Sequence, residues 1–595
     1  VGAVECRSAL GDWRVTWIVL DPCVRAPGEP TTRFVLRTLG PDPQLPGWPA
    51  LPLVETAARE VPASELAEVV AETERGEHPA RWVRYPPLLG AGVRIDRCHD
   101  LGLCHAILRR SAATATSPLA TAPAGPWDSA VDPADASVVR GEEPPTLFDA
   151  FDLQAPAAPE PGRLLDPVAE LAAQLDAVAS SDRSGRLRLL LAAESTGALV
   201  AAEIAHEGLP WDAAEHDRVL TAALGPRPEH GRPAVLEDLA GQIAAALDLP
   251  WVNPDSQPHL LAALRRAGLE VSSTSRYEIA AQQHPVVEPL LAYKKLARLL
   301  SANGWAWLGA WVSDGGYRPD YVVGGVVTGR WASRGSGALQ LPAQIRSAVR
   351  ADRGWLLVVA DAAQLEPRVL AAMSGDHAMA AAARGADLYQ GLVDAGAVAT
   401  RQDAKIGMLG AIYGGTAGVS GGVMPRLTAA FPRAIGLVEA AARAGERGEV
   451  VSTWLGRSSP APGGTWWAAR AAAAGEGADP AEVADARRRA RDWGRFTRNF
   501  VVQGTAAEWA LCWLGALRRR LWEVSTRQGC AVGERPALVF FLHDEVVVHT
   551  PEALAEVVAT QVRHAAEDAG RLVFGDAQVQ FPLDVSVVAS YDQAS

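Results

Sequence analysis

The run Trp355-Leu-Leu-Val-Val-Ala360 delivers an aspartate, Asp361, at its end. Six consecutive apolar residues read as a buried central strand. A carboxylate at the end of such a strand is costly unless a cation attends it. A second segment repeats the arrangement: Leu538–Leu542 is apolar, His543-Asp544-Glu545 turns, and Val546–Val548 returns. Two acids brought onto one sheet would make a clamp for two divalent ions, suited to in-line displacement at phosphorus. The alternative is that each aspartate is a turn acid capping the next element.

A chain of 595 residues exceeds one hydrophobic core and divides into domains. No run of about 18 uncharged apolar residues appears, so no membrane span is expected. The N-terminus, which begins at Val1, lacks a basic stretch followed by an apolar one, so no secretory signal is expected. Six cysteines are scattered without a CxxC pair, which argues against zinc and for a reducing cytoplasm. The net charge of −13 is unevenly spread: residues 1–250 hold 21 Lys/Arg against 36 Asp/Glu, and residues 251–595 hold 35 against 33. The second part is therefore free to carry a basic groove.

Residues 1–110 alternate strand-like runs (Trp13–Leu20, Phe34–Leu39) with an amphipathic helix near Ala63–Glu74. From 111 to 162 the composition falls to Ala, Pro, Ser, Thr and Asp, which predicts a disordered linker. It contains one apolar patch around Leu147 and Phe148, either a docking segment for a protein such as a sliding clamp or a cap for the next domain. The chain then reads as helical from about 163 to Gly268, as strands over Trp305–Val326, and as an Ala/Arg-rich helix over Ala469–Arg491.

Only three lysines, Lys294, Lys295 and Lys405, stand against 53 arginines. An ammonium can release a proton where a guanidinium cannot, so Lys405 reads as chosen for chemistry. Arg401, Lys405 and Leu409 are spaced i, i+4, i+8, with Tyr413 one step further. One helix face thus carries two cations for phosphates and two groups able to pack on a base. Arg495, Asn499 and Gln503 repeat the spacing, with hydrogen-bonding groups suited to minor-groove edges and sugar-phosphate. For each row the alternative is an ordinary solvated polar face. Arg487-Arg-Arg-Ala-Arg491 could steer DNA by charge or be another such face. Gly418-Val-Ser420-Gly-Gly422 matches GxSxG but follows a helix end, which disfavours a hydrolase elbow.

Taken in order, Thr328-Gly329-Arg330, Asp361-Ala-Ala-Gln364-Leu-Glu366-Pro-Arg368, Arg401-x3-Lys405-x7-Tyr413-Gly414, Arg495-x3-Asn499-x3-Gln503-Gly504 and His543-Asp544-Glu545 resemble the DNA polymerase I family, family A. The resemblance spans roughly residues 190–595 and extends upstream to Asn253-Pro-Asp-Ser256. It implies an α+β multidomain right hand of palm, fingers and thumb, with a small N-terminal α/β exonuclease-like domain at 1–110. The implied divisions are a helical palm-approach and thumb region over 163–320, palm over 321–375, fingers over 376–450, and second palm part over 451–595 with the insert 469–491. Asp361 and Asp544 would bind two Mg²⁺ ions, with Mn²⁺ as a substitute, helped by the Ala362 carbonyl and with Glu545 behind them. Arg401 and Lys405 would grip the triphosphate, Lys405 also serving as proton donor to pyrophosphate. Gln364, Tyr389 and Leu409 join the nucleotide-binding set. Glu366 would be the gate against a 2′-hydroxyl, and Tyr413 would hold the template side of the nascent pair. Arg330, Arg495, Asn499, Gln503 and His543 would contact primer-template DNA.

Departures from the family pattern are Leu409, usually aromatic, Tyr389, where many relatives have histidine, and a short segment between Gln340 and Arg346. An active proofreading exonuclease of this family needs an Asp-x-Glu on an early strand, which residues 1–110 lack. Gly92 to His105, with Asp96 and Asp100, only faintly resembles a later part of that fold, so the domain is expected to be inactive. The resemblance implies a monomeric DNA polymerase for repair or gap filling, in a bacterial cytoplasm at the nucleoid. The competing readings are a polymerase with retained exonuclease, a single-subunit RNA polymerase, against which Glu366 argues, and a catalytically dead DNA-binding accessory.

Overall fold

A computed structural model of the chain describes residues 16–22, 33–41, 53–76, 80–83, 93–129, 165–335, 337–415, 419–475 and 477–594. The N-terminal part is a five-stranded sheet of β1 (Trp17–Pro22), β2 (Arg33–Pro41), β3 (Leu53–Pro62), β4 (Arg81–Val83) and β5 (Arg97–His99), in the order β3-β2-β1-β4-β5. β1–β2–β3 pair antiparallel, whereas β4 runs parallel to both β1 and β5. Its core of Ile18, Leu20, Leu36, Val61, Val70, Trp82 and Ile95 closes on Leu199 of helix α1 (Ser184–Glu207).

Part of the stretch expected to be a disordered linker is folded. Residues 112–129 fold into short helical turns over Ala112–Thr114, Pro118–Thr121 and Pro126–Ser129. Arg109 organises them, donating to the carbonyls of Leu119 (2.7 Å) and Ala120 (2.8 Å) and to Asp128 (2.9 Å). Ser111 Oγ donates to the Gly456 carbonyl at 2.7 Å and ties the segment to the rest of the chain. Composition alone does not see one arginine supplying hydrogen bonds that these residues cannot supply themselves. Leu147 and Phe148 lie outside the described residues.

Helices occupy 167–266 as expected. Trp305–Trp311 is a helix, however, and only two-residue strands follow at Val312–Ser313, Gly316–Tyr317 and Tyr321–Val322. Tertiary packing overrides the strand preference of its aromatics: Trp307 lies 5.3 Å from Trp211 and 5.0 Å from Tyr317, ring to ring, and Trp305 Nε1 donates to Asp217 at 2.7 Å.

The site is built on a four-stranded antiparallel sheet. β6 (Trp355–Ala362) lies between β8 (Glu545–Pro551) and β9 (Leu583–Val588), with β7 (Ala537–Leu542) outside β8. After β6 come helices α2 (Leu365–Ser374), α3 (Leu388–Asp394), α4 (Arg401–Tyr413) and α5 (Pro432–Glu446). The 49-residue α6 (Pro480–Gln528) and then α7 (Ala555–Phe574) pack together, Trp513 Nε1 donating to the Val562 carbonyl at 3.3 Å.

The Ala/Arg-rich tract expected to be helical over 469–491 belongs to two helices. Gly464–Ala473 ends before Gly477 in the left-handed region, and α6 starts at Pro480 behind an Asp479–Glu482 capping box. By length and composition α6 could cross a membrane, but 83% of its most apolar window is buried in the protein. It is a core helix.

Candidate active site

Register places Asp361 opposite Glu545 on one side and opposite Asp584 on the other. Paired residues on adjacent strands project to one face, so three carboxylates share a rung at the head of the sheet. Asp544 joins them from the β7–β8 turn, its carbonyl accepting the Ala362 N–H at 2.9 Å. Partial burial, reinforced by the negative charges of Asp544, Glu545 and Asp584, pushes Asp361 up to about 7. Burial pushes Asp544 up to about 6, with Glu366 adding to the rise and Arg330 opposing it. Glu545 is raised by burial too, but Tyr591 donates a hydrogen bond to it and holds it within the sheet.

Among the described residues no three His, Cys, Asp or Glu side chains form a ready-made metal cage. Magnesium does not require one: it is commonly held by one or two carboxylates, with substrate phosphates and water completing the shell. Two hard oxygen donors that repel each other fit such an ion, whose charge relieves the repulsion. His543 is exposed in the same turn, with φ 59.

The helix face anticipated from spacing is present. Arg401, Lys405 and Tyr413 are exposed and Leu409 is half-buried, while Ala404, Gly407, Met408, Ala411 and Ile412 are buried behind them. Thr400 caps the start by accepting from Asp403 N, and Gly414 ends the helix at φ 75. Lys405 makes no hydrogen bond or ion pair with any described residue. Tyr413 donates its hydroxyl to Glu366 at 2.6 Å, and Arg330 grips the other oxygen at 2.6 Å. Glu366 and Tyr413 thus share one hydrogen bond, and Arg330 sits with them at the sheet head.

Arg401 Nε donates to Asp387 at 2.5 Å, and its guanidinium centre lies 5.7 Å from the ring of Tyr389. Asp387 is also the cap of α3, accepting from Tyr389 N (2.9 Å) and Gln390 N (3.2 Å). Gln364, expected among the nucleotide contacts, is engaged inside the fold. Its Nε2 donates to Asp387 at 3.0 Å and its Oε1 accepts from Leu388 N at 2.7 Å. These bonds hold it in the left-handed region at φ 55, a strained conformation for a non-glycine residue. Tyr389 is buried, which pushes its hydroxyl up to about 12.

On α6, Arg495 is exposed and ion-paired with Asp492, while Asn499 and Gln503 are buried. The side-chain carbonyl oxygens of both amides lack a hydrogen-bond partner among the described residues. Sequence reasoning missed Asp387, Asp584 and Tyr591. Asp387 was legible as a helix cap before Leu388, and Asp584 as the polar member of an alternating strand. Nothing in the sequence marks Tyr591.

A carboxylate-headed antiparallel sheet, faced by a helix of cations and a tyrosine, defines the palm-and-fingers class of nucleotidyl-transfer folds. The sequence model of DNA polymerase family A matches residues 261–593, more than half of the chain, and the chain belongs to that family. DNA polymerase I of Chloroflexus aurantiacus is 27% identical over 369 residues, covering 57% of this chain and 36% of that protein. The thermostable DNA polymerase I of Thermus aquaticus is 26% identical over 365 residues, covering 56% and 39%. The chain therefore matches well under half the length of these relatives. Its fold is similar to the POL domain of Pol1 from M. smegmatis, solved in complex with DNA primer-template and dNTP. The TM-score is 0.61 at 17% identity, over 99% of this chain and 97% of that one.

Proposed function

We propose that this chain is a template-directed DNA polymerase that adds deoxynucleotides to a primer 3′-hydroxyl, in repair or gap filling. The observation that carries this reading is the convergence of Asp361 and Asp544 at the sheet head, beside the Arg330–Glu366–Tyr413 cluster. Asp361, Asp544 and the Ala362 carbonyl would hold two Mg²⁺ ions, or Mn²⁺ in their place. Bound there, the ions would lower the pKa of the primer hydroxyl and stabilise charge on the reacting phosphate.

The chain's own groups do the rest. Arg401 and Lys405 bind the triphosphate, and Lys405 Nζ donates a proton to the leaving pyrophosphate oxygen. Glu366 excludes a 2′-hydroxyl, and Tyr413 and Leu409 pack against the nascent pair. Arg330, Arg495, Asn499, Gln503 and His543 contact the primer-template, and the two unpartnered amide oxygens support that placement. Tyr389 orients Arg401 from below, which the 5.7 Å ring contact supports.

Proofreading is proposed to be inactive. In support, Asp100 caps helix Leu101–Arg110 by accepting from Leu103 N, and Asp96 lies 3.5 Å from Arg97. The chain acts as a monomer in a bacterial cytoplasm, at the nucleoid, and the segment around Leu147 and Phe148 docks a sliding clamp or another protein.

Extension of a labelled primer-template with Mg²⁺, read for lengthening and for shortening, tests both activities. Asp361→Ala and Asp544→Ala should each abolish extension and retain DNA binding. Extension by either purified variant refutes the metal assignment.

A further inference from the structure

The row that carries Arg495, Asn499 and Gln503 does not begin at Arg495. Counting back by four along α6 reaches Arg491 and Arg487, both exposed. Neither makes an ion pair or hydrogen bond with a described residue, whereas Arg488 and Arg489 are both held by Asp485. Residues four apart form a ridge that turns about 40° around the helix at each step, with about 6 Å of rise between successive members.

The ridge changes chemistry at Arg495, where it meets the end of α4. A Cβ on Gly414 would stand 2.7 Å from Arg495 Cγ, and Arg498 Nη1 donates to the Ala411 carbonyl at 3.1 Å. On one side of that junction the ridge carries the uncharged amides of Asn499 and Gln503. On the other it carries the guanidinium groups of Arg487 and Arg491, unpaired among the described residues. Amides suit the edges of paired bases, which need hydrogen bonds without excess charge. Cations with no protein counter-ion suit a strand that offers phosphates and no fixed pairing geometry. In a chain of net charge −13, such a ridge is a local exception.

We propose that Arg487 and Arg491 form a docking surface for the unpaired 5′ stretch of the template strand, ahead of the nascent pair. This rests on the polymerase reading above. The occupant is single-stranded DNA because the ridge is continuous with the row that would track the duplex, and because its charge complements a polyanion.

The test uses the full chain and the double variant Arg487→Ala/Arg491→Ala, with Arg495 left intact. Both sites are exposed and alanine is the best helix former, so α6 is retained. Fluorescence anisotropy compares two primer-templates with the same duplex, one with a single-nucleotide template 5′ extension and one with about ten nucleotides. The wild type should bind the long extension more tightly, and the variant should lose that gain while binding the short-extension probe equally. Two lost single-strand phosphate contacts reduce the salt slope by about 1.4, so the variant's affinity should fall about sevenfold less between about 50 and 200 mM salt. A variant that keeps the gain overturns the proposal, as does a wild type indifferent to extension length. Extension of the short-extension probe by the wild type is scored separately. Its failure sinks the polymerase reading and leaves the binding comparison interpretable.

Discussion

Asp387 holds Arg401 by its Nε alone, at 2.5 Å, while capping α3 with its other oxygen. Through Gln364, the same aspartate is linked to the segment just past β6, which carries Asp361. A hydrogen-bonded path therefore runs from the segment after the Asp361 strand to the guanidinium expected to meet the triphosphate. The side-on contact leaves the terminal nitrogens of Arg401 without a hydrogen-bond partner among the described residues, on a side chain that is half exposed.

Asp387→Asn should keep the cap, since asparagine caps as well as aspartate, and lose the ion pair. The expected result is a few-fold rise in KM for dNTP with little change in kcat, the size usual for an exposed pair. In an Arg401→Ala background the same substitution should do nothing further. Steady-state kinetics on the four proteins decide it, and an equal effect in both backgrounds would leave only a capping role.

Asp361 and Asp544, at about 7 and about 6, lie above their ordinary carboxylate value. A group whose folded pKa is raised contributes stability at low pH and loses it as pH rises through that pKa. The metal-free protein should therefore lose stability at this site progressively from the ordinary carboxylate value of 3.8 up to about 7, above which both acids are ionised. Added Mg²⁺ should raise the melting temperature by a few degrees at about pH 8 and by little at about pH 5, where bound protons exclude it. Thermal melts at both pH values, with and without the ion, check this. An equal shift at both would be evidence against the pair as the site.

Glu366 accepts from Arg330 and Tyr413 and so stands fixed at the sheet head. Glu366→Ala removes the carboxylate that would meet a 2′-hydroxyl. Ribonucleotide incorporation should rise at least about tenfold relative to deoxyribonucleotide, the scale on which a single pocket contact discriminates. Single-nucleotide extension with each substrate measures the ratio, and an unchanged ratio removes the gate role.

Arg457 pairs with Glu194 at 2.7 Å, and the glutamate side chain is 1% exposed. Arg457→Ala would leave a buried carboxylate without its cation, a change that costs about 3–5 kcal/mol. Urea unfolding should show a clearly lower midpoint. A midpoint within error of the wild type would mean that Glu194 is neutral or relieved by another group.

The local pieces of this site were legible because each obeys a short-range rule. An apolar run ending in Asp361 is a buried strand, and the hairpin at His543-Asp544-Glu545 is written in two apolar runs about a polar turn. The spacing of Arg401, Lys405, Leu409 and Tyr413 is a helix face. The misreadings arose where distant partners supply what the local residues lack. Arg109 ordered part of an Ala/Pro-rich stretch that composition assigns to a linker. An aromatic cluster turned Trp305–Trp311 into a helix, and Asp387 with Leu388 took up the amide of Gln364.

The amino-acid order by itself determined the strands and helices that carry or flank Asp361, Asp544, Arg401, Lys405 and Tyr413, since these follow from periodicity, capping and backbone preference within a few residues. Only the tertiary structure decided which of those side chains meet. Asp361 faces Asp584 across one strand pair and Glu545 across another, and Tyr413 reaches Glu366. Strand order and helix docking are settled by burying one shared core, in which residues from Cys104 to Tyr591 pack together. That burial is non-local and leaves no periodic trace in the sequence.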